Sequence, residues 1–155
     1  MISFIGDYTC KPDAKGRVIL PAAFKKQMKS SDNERFVVKK DIFESCLLLY
    51  PIQEWERQIK IIKKKLNPYK KEHNMFLRRF LKGMAEVVLD ANNRILVPRR
   101  LLNDISAAKE IVMAGQFGKI EIWAKENYDK IKVGDDEFAN MAENIMEGSV
   151  DETDE

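Results

Sequence analysis

The sequence predicts a mainly β protein with flanking helices (α+β), built from two tandem copies of one unit. A nine-residue phrase occurs twice, as DAKGRVILP at 13–21 and as DANNRILVP at 90–98. A second pair of segments, 46–56 and 119–128, shares an apolar strand that ends in an aromatic residue, with another aromatic residue five positions later. Self-similarity at a nearly fixed offset indicates duplicated structure. Each copy also consists of short apolar runs between turn residues, which is typical of strands.

The first copy occupies 1–66 and is predicted to begin with two strands, ISFIG and RVIL, on either side of a turn at 13–16. Pro21 suits the first turn of a helix, so PAAFKKQM is expected to be helical. RFVVKK and CLLLY then form a second pair of strands. The first copy therefore consists of four strands with one short helix between them.

Longer helices are predicted between the two copies. In 52–66, four apolar residues recur at the spacing of one helical face, and lysines cover the other side. Asn67 and Pro68 end this helix, and a connecting helix is expected in the segment 67–83. Gly83 suits the position just after a helix C-terminus. The apolar residues of the first of these helices are Trp55, Ile59, Ile62 and Leu66.

The second copy occupies 84–131 and repeats the order of the first. AEVVL, RILV, EIVMAG and IEIW are the predicted strands, PRRLLNDI is a predicted helix, and GQFGK has the glycines of a tight hairpin. The tail, 132–155, is acidic and weakly apolar. It is compatible with one short helix, and its last eight residues are expected to be disordered. That helix would carry Phe138, Met141, Ile145 and Met146.

The charge of the chain is uneven, although its net value is only +2. The segment 57–82 has ten basic residues and one acid, whereas 135–155 has nine acids and no base. The basic segment can contact DNA phosphates, line a seam between subunits, or form a solvated face. The acidic segment can keep the chain soluble, or fold back on the basic surface and compete with DNA. The sequence leaves these alternatives open.

Other classes of function find no support in the sequence. No apolar run reaches the roughly 20 residues that span a bilayer, and no signal peptide is evident, so a cytoplasmic protein without a membrane partner is expected. Cys10 and Cys46 are expected to be buried apolar residues, and with the single His73 they form no metal motif. No phosphate loop, nucleophile elbow or acid–base pair is present, which argues against an enzyme and against a cofactor.

The repeated phrase contains residues that suit a tight turn. Asp13 and Asp90 are expected to accept backbone N–H bonds within the turn, and Gly16 to supply a positive φ. Asn93 replaces this glycine in the second copy, and asparagine tolerates the same conformation. The three apolar residues that follow each turn are expected to form a core strand.

The arginine of the phrase is the residue that the turn does not require. Arg17 and Arg94 directly follow the two turns, and each carries a planar, fork-shaped guanidinium with five N–H donors. Each can pair with its own aspartate or with a carboxylate of another subunit. Alternatively, the two guanidiniums are presented on rigid turns to guanine O6 and N7 or to phosphate.

Six separated motifs resemble, in order, those of the MraZ family of bacterial transcriptional regulators. They are DAKGRVILP, CLLLYP, EWE, NP, DANNRILVP and AGQFGKIEIW, and they extend from about Ile2 to about Ile131. The resemblance implies two swapped-hairpin, AbrB-like halves that form a pseudo-twofold barrel. It also implies a homo-oligomeric ring of about eight or twelve copies.

The function that the resemblance implies is sequence-specific binding of double-stranded promoter DNA at the nucleoid. Family members bind G-rich direct repeats in the promoter of the division and cell-wall gene cluster, and a repressor is expected here. Matched by position, the family's Asp-x-x-x-Arg turns place Arg17 and Arg94 at the DNA, with Lys15 as a phosphate contact. Arg17 ranks first, because Gly16 is the family's usual turn residue and Asn93 is not.

A second class of function is an AbrB-like antitoxin or another protein-interaction module. In that case the barrel would still bind DNA, and the acidic tail, 132–155, would bind the partner protein. Antitoxins of this type usually carry one such half in each chain, whereas this sequence carries two.

Overall fold

A computed structural model describes residues 2–28 and 34–148. This part of the chain contains eight strands and six helices. In chain order they are β1 (Asp7–Cys10), β2 (Arg17–Ile19), α1 (Ala22–Gln27), β3 (Arg35–Lys40), β4 (Leu47–Pro51), α2 (Ile52–Lys65), α3 (Lys71–Leu81), β5 (Ala85–Val88), β6 (Arg94–Leu96), α4 (Arg99–Asp104), β7 (Ile111–Gln116), β8 (Lys119–Ala124), α5 (Lys125–Asp129) and α6 (Asp135–Met146). Over the described ranges, no helix has the length and apolarity needed to cross a membrane.

The strands form two antiparallel sheets, and both sheets combine strands of the two copies. The larger sheet has the order β1-β7-β8-β4-β3-β5, and the smaller one is the ribbon β2-β6. The first strand of each copy pairs with the third strand of the other, since β1 pairs with β7 and β5 pairs with β3. Exchanging the two copies leaves this pairing pattern unchanged. The duplication that the sequence predicted is therefore confirmed as a duplication of structure.

The expected closed barrel is not found among the described residues. The six-stranded sheet remains open, with β1 and β5 at its edges, and the β2-β6 ribbon is a separate sheet. Each strand of the ribbon is only three residues long. Pro21 and Pro98 follow closely, lack an N–H and precede α1 and α4 directly, so the strands of the ribbon end there.

The first predicted strand was placed too early in the chain. ISFIG was expected to be a strand, but β1 begins at Asp7, and Phe4 forms only an isolated bridge with Phe117. Gly6 has a φ of +104°, which interrupts the extended backbone between the two regions. The other predicted strands and the short helices after Pro21 and Pro98 match observed elements to within a few residues.

Side chains alternate between the two faces of the six-stranded sheet, and each face has its own core. On the inner face, residues such as Phe36, Leu49 and Ile122 pack against the β2-β6 ribbon and against α1 and α4. On the outer face, Val37, Leu48, Tyr50 and Trp123 pack against Ile52 and Trp55 of α2. The sheet therefore separates the ribbon from α2.

The helices between the copies and in the tail lie close to where the sequence placed them. The segment 67–83 contains α3, and Gly83 follows it with a φ of +80°. The tail contains α6, which includes all four of its predicted apolar residues. The predicted disorder of the last eight residues falls, apart from Gly148, outside the described part of the chain. Cys46 is buried and Cys10 is half-buried, and neither is in a disulfide.

Candidate nucleic-acid interface

The β2-β6 ribbon places the two arginines of the repeated phrase on one exposed face. In its register Arg17 faces Leu96 and Ile19 faces Arg94. The central pair, Val18 and Ile95, is fully buried against the larger sheet. Because side chains alternate along a strand, the four outer residues share the opposite face. The two arginines are diagonal neighbours there, a relationship that brings Cα atoms to about 7–8 Å.

The first turn is held together by Asp13. Its Oδ1 accepts the backbone N–H groups of Lys15 and Arg17, each at 2.9 Å. Its backbone accepts the Gly16 N–H and donates to the Arg17 carbonyl, both at 3.0 Å. Gly16 has a φ of +89°. The turn geometry therefore follows from local hydrogen bonds among five consecutive residues.

The second turn has the same hydrogen bonds, although Asn93 stands where the first turn has glycine. Asp90 Oδ1 accepts the N–H groups of Asn92 and Arg94 at 2.8 and 2.9 Å. Asn93 has a φ of +58°, a conformation in which asparagine is several-fold enriched. The second turn, with asparagine in place of glycine, therefore has the same hydrogen-bond pattern and also a positive φ at this position.

Each arginine is oriented by the aspartate of its own turn. Arg17 Nε donates to Asp13 Oδ2 at 2.6 Å, and Arg94 Nε donates to Asp90 Oδ2 at 3.1 Å. The intramolecular pair, which is one of the alternatives that the sequence left open, is present in both turns. It uses only Nε, and within residues 2–28 and 34–148 neither guanidinium makes a further hydrogen bond through its terminal nitrogens. The pair therefore fixes the orientation of each guanidinium, while the side chains of Arg17 and Arg94 remain 34% and 27% exposed.

The two aspartates remain ionised over a wide pH range. The backbone N–H of Arg17, followed by the Arg17 guanidinium and the Lys15 N–H, lowers the pKa of Asp13 to about 2. The backbone N–H of Arg94 is the largest of the corresponding causes that lower the pKa of Asp90. Both groups are exposed, so solvent screens their ion pairs strongly. Their role is geometric: a fixed carboxylate keeps each guanidinium in one direction.

The surroundings of the first turn are more basic than those of the second. Lys15 is exposed in the first turn, and Arg99 Nη2 donates to the Ala14 carbonyl of the same turn. At the second turn, Asn92 occupies the position of Lys15. Arg99 reaches the first turn because antiparallel pairing brings the end of β6 beside the start of β2. Reasoning from sequence missed Arg99, since only the pairing of the two copies places it there.

Two residues that were expected in the core lie instead on the arginine face. Ile19 is 60% exposed and Leu96 is 52% exposed, whereas their neighbours Val18 and Ile95 are fully buried. The prediction of three consecutive core residues was therefore wrong at the middle position in each copy. Alternation along a strand was the signal that could have identified them. The face thus presents two guanidiniums on one diagonal and two aliphatic side chains on the other.

The lysine-rich helix α2 is not part of this face. The ribbon packs on the inner face of the large sheet, and α2 packs on its outer face. Layers in proteins are separated by about 10 Å, so the lysines of α2 lie about 20 Å from the ribbon. In the described ranges, no group of three or more histidine, cysteine or carboxylate residues could hold a metal ion.

Comparison with known proteins agrees with the resemblance noted in the sequence. The model of the family described as "MraZ protein, putative antitoxin-like" matches residues 3–79 and again 80–146. A protein of Christiangramia forsetii named "Transcriptional regulator MraZ" is 42% identical over 147 residues, which cover 94% of each chain. Proteins of the same name from Flavobacterium psychrophilum and Clostridium tetani are 42% and 32% identical, covering 94% and 93% of this chain and 93% and 97% of their own.

The match covers both copies of the repeated unit and nearly the whole length of the relatives. The chain belongs to the MraZ family.

Proposed function

We propose that this chain is a DNA-binding transcriptional regulator that reads double-stranded DNA with the exposed face of its β2-β6 ribbon. The observation that carries the proposal is the pair of arginines on that face, each held through Nε by the aspartate of its own turn. The relatives named as transcriptional regulators support the class of function. A two-stranded β-ribbon also fits the major groove of B-DNA.

The chemistry of the arginine tips favours guanine. Two terminal nitrogens in a fixed plane match the O6 and N7 acceptors of guanine, and a good bidentate pair contributes about 1–3 kcal/mol of discrimination against other bases. The aspartates do not oppose DNA binding, because their oxygens are directed back to the N–H groups of the turns. Lys15 and Arg99 add positive charge beside Arg17 and would contact phosphate.

Two arginines in one chain provide little affinity alone, so self-association is part of the proposal. Linked copies that match direct repeats raise the effective concentration of each later contact. We therefore propose that the protein forms a ring-like homo-oligomer that binds G-rich direct repeats. It would act in the bacterial cytoplasm, at the nucleoid, and repress the division and cell-wall genes. The exchanged pairing of first strands supports the swapped-hairpin arrangement that the family resemblance implies.

The experiment is a fluorescence-anisotropy titration with a duplex that carries G-rich direct repeats and a duplex of the same composition in scrambled order. Wild type should prefer the repeats. Arg17→Ala should remove that preference without changing the thermal melt, and Arg94→Ala should weaken it less. Arg57→Ala is the matched control, because Arg57 is an exposed arginine that also pairs with a carboxylate, Glu54, but lies on α2. Wild-type affinity in Arg17→Ala would refute the proposed role of the ribbon.

A further inference from the structure

An open groove of about 1240 Å³ lies between α3, α4 and the loop that joins β3 to β4. We call it the α3 groove. Its apolar lining is unusually exposed: Phe43 is 87% exposed, and Met75 and Phe76 are also exposed. Its floor includes Phe80, with Lys39 Nζ 4.3 Å from the centre of the ring. Exposed aromatic and thioether side chains that line a groove of this size mark an interaction surface.

The lining of the α3 groove is also rich in cations. Six basic residues line it, against four carboxylates. The basic residues are Lys39, Lys40, Arg78, Arg79, Lys82 and Arg100. The groove is therefore suited to an occupant with an apolar side and an excess of negative charge.

One segment of this same chain has those two properties. Helix α6 carries four acidic residues and no basic residue. Phe138, Met141 and Ile145 recur at the spacing of one helical face, and all three are exposed. No residue of α6 is buried, and none lines the α3 groove. The apolar face of α6 thus lacks a cover among the described residues.

We propose that α6 of one copy docks into the α3 groove of a second copy. The inference rests on the self-association proposed above and specifies the contact that produces it. An α-helix with its side chains is about 10–12 Å wide and rises 1.5 Å per residue, so the groove has room for the apolar side of roughly three turns. Helix α6 has 12 residues, which is about three turns. Its acids would flank the seated face, where long arginine and lysine side chains of the rim reach them.

The position of α6 in the chain favours a second copy over its own groove. Helix α5 ends beside β1, where Tyr128 Oη donates to Asp7 Oδ2 at 2.8 Å. The groove lies beyond β3, which is four strands away in the sheet, or about 19 Å. The linker of five residues, 130–134, spans at most about 18 Å when fully extended. A linker of this length could not reach the groove of its own chain and also allow α6 to lie along it.

Such a contact is head-to-tail, because the donated helix and the receiving groove are different surfaces of the chain. Each copy would give one α6 and receive one. Repetition of a head-to-tail contact produces a closed ring when the rotation closes, and a filament otherwise. A head-to-tail contact of this kind is therefore compatible with the proposed ring.

Cross-linking tests the docking directly, between two single-cysteine variants in which the native Cys10 and Cys46 are both replaced by alanine. Ser45→Cys places a thiol in the groove, and Ala142→Cys places one on the seated side of α6. The two proteins, mixed in urea and refolded together so that assemblies contain both, should give a species of twice the chain mass after treatment with a short bis-maleimide, while each protein alone should not. A third protein carries both Ser45→Cys and Ala142→Cys in one chain. If only this double variant cross-links, and within one chain, the helix docks on its own groove and the proposal is wrong. No cross-link in either sample also overturns it.

Native mass spectrometry of charge-introducing variants provides the second arm. Ile145→Asp on α6 and Phe43→Asp in the groove should each convert the wild-type oligomer to monomers, with unchanged circular dichroism because both side chains are exposed. Tyr69→Asp is the control, since Tyr69 is 95% exposed but lies outside the groove. An oligomeric wild type whose mass survives Ile145→Asp would overturn this contact only. A monomeric wild type would overturn the proposed self-association as well.

Discussion

Gly16 and Val97 lie in contact at one end of the β2-β6 ribbon. The Gly16 carbonyl accepts the Val97 N–H at 3.0 Å, and a Cβ on Gly16 would lie 2.7 Å from the Val97 carbonyl oxygen. At the other end of the ribbon, the Asn93 carbonyl accepts the Leu20 N–H at 2.9 Å. Each turn is thereby hydrogen-bonded to the end of the ribbon strand of the other copy. The conformation of each turn therefore depends on residues of both copies.

Replacement of Gly16 should be costly for stability. Gly16→Ala introduces a side chain at a φ of +89° and against a backbone oxygen that cannot move alone. Strain of this kind costs of the order of 1–3 kcal/mol. Urea denaturation should therefore show a lower free energy of unfolding by about that amount. Asn93→Gly is the control and should change stability by less than about 1 kcal/mol, because either residue tolerates a positive φ. Equal stability of Gly16→Ala and wild type would contradict the close approach.

The contribution of Asp13 to stability should depend on acidity. Its pKa is lowered from 3.8 to about 2, so the ionised group stabilises the folded chain fully at pH values above about 4. That contribution is lost as the pH falls from about 4 to about 2. Asp13→Asn keeps an oxygen acceptor but removes the charge. The difference in urea midpoint between wild type and Asp13→Asn should be largest near neutral pH and shrink below pH 4. A difference that is constant with pH would contradict the lowered pKa of Asp13 and the N–H and guanidinium contacts that cause it.

Two adjacent residues of β6 should differ in what their replacement changes: one should mainly affect stability and the other mainly DNA binding. Ile95 is fully buried, so Ile95→Ala should cost about 2–5 kcal/mol of unfolding free energy. Leu96 is half exposed on the arginine face, so Leu96→Ala should change stability by no more than about 0.5 kcal/mol. We expect Leu96→Ala nevertheless to weaken DNA binding, because the side chain lies beside Arg17 in the register. Wild-type DNA affinity in Leu96→Ala would exclude that part of the ribbon from the interface.

The salt dependence of DNA binding should distinguish the two basic regions. Lys15 lies in the first turn, and its change to glutamine should reduce the slope of log affinity against log salt by about 0.9, the value for one phosphate contact. Lys63, Lys64 and Lys65 belong to α2, on the opposite side of the sheet from the ribbon. Their combined change to glutamine should leave the slope unaltered. A shallower slope in the triple variant would show that α2 contacts DNA.

The sequence was informative wherever a few neighbouring residues decide the structure. In each turn, an aspartate and a residue that tolerates positive φ three positions later determine the conformation through hydrogen bonds within five residues. Both turns could therefore be predicted from the sequence. The apolar face of α2 was predictable for the same reason, since helical spacing is local. The first strand was misplaced because the positive φ of Gly6 was not evident from an apolar run.

The candidate site was predicted only in part, because a face of a strand is defined by what the strand packs against. Arg17 and Arg94 were identified from their position after the turns. Ile19 and Leu96 were assigned to the core, and their exposure became evident only when the ribbon was seen to cover one face of the larger sheet. Arg99 belongs to the second copy in sequence but to the first turn in space.

The sequence by itself therefore determined that the chain has two copies of one unit, each with an aspartate-held turn that presents an arginine. The tertiary structure decided that the copies exchange strands, that both arginines share one exposed face, and that the lysine-rich helix α2 lies on the other side of the sheet. The physical reason is the range of the interactions involved. Turn hydrogen bonds act within five residues, whereas strand pairing and burial join residues that are about 77 positions apart in this chain.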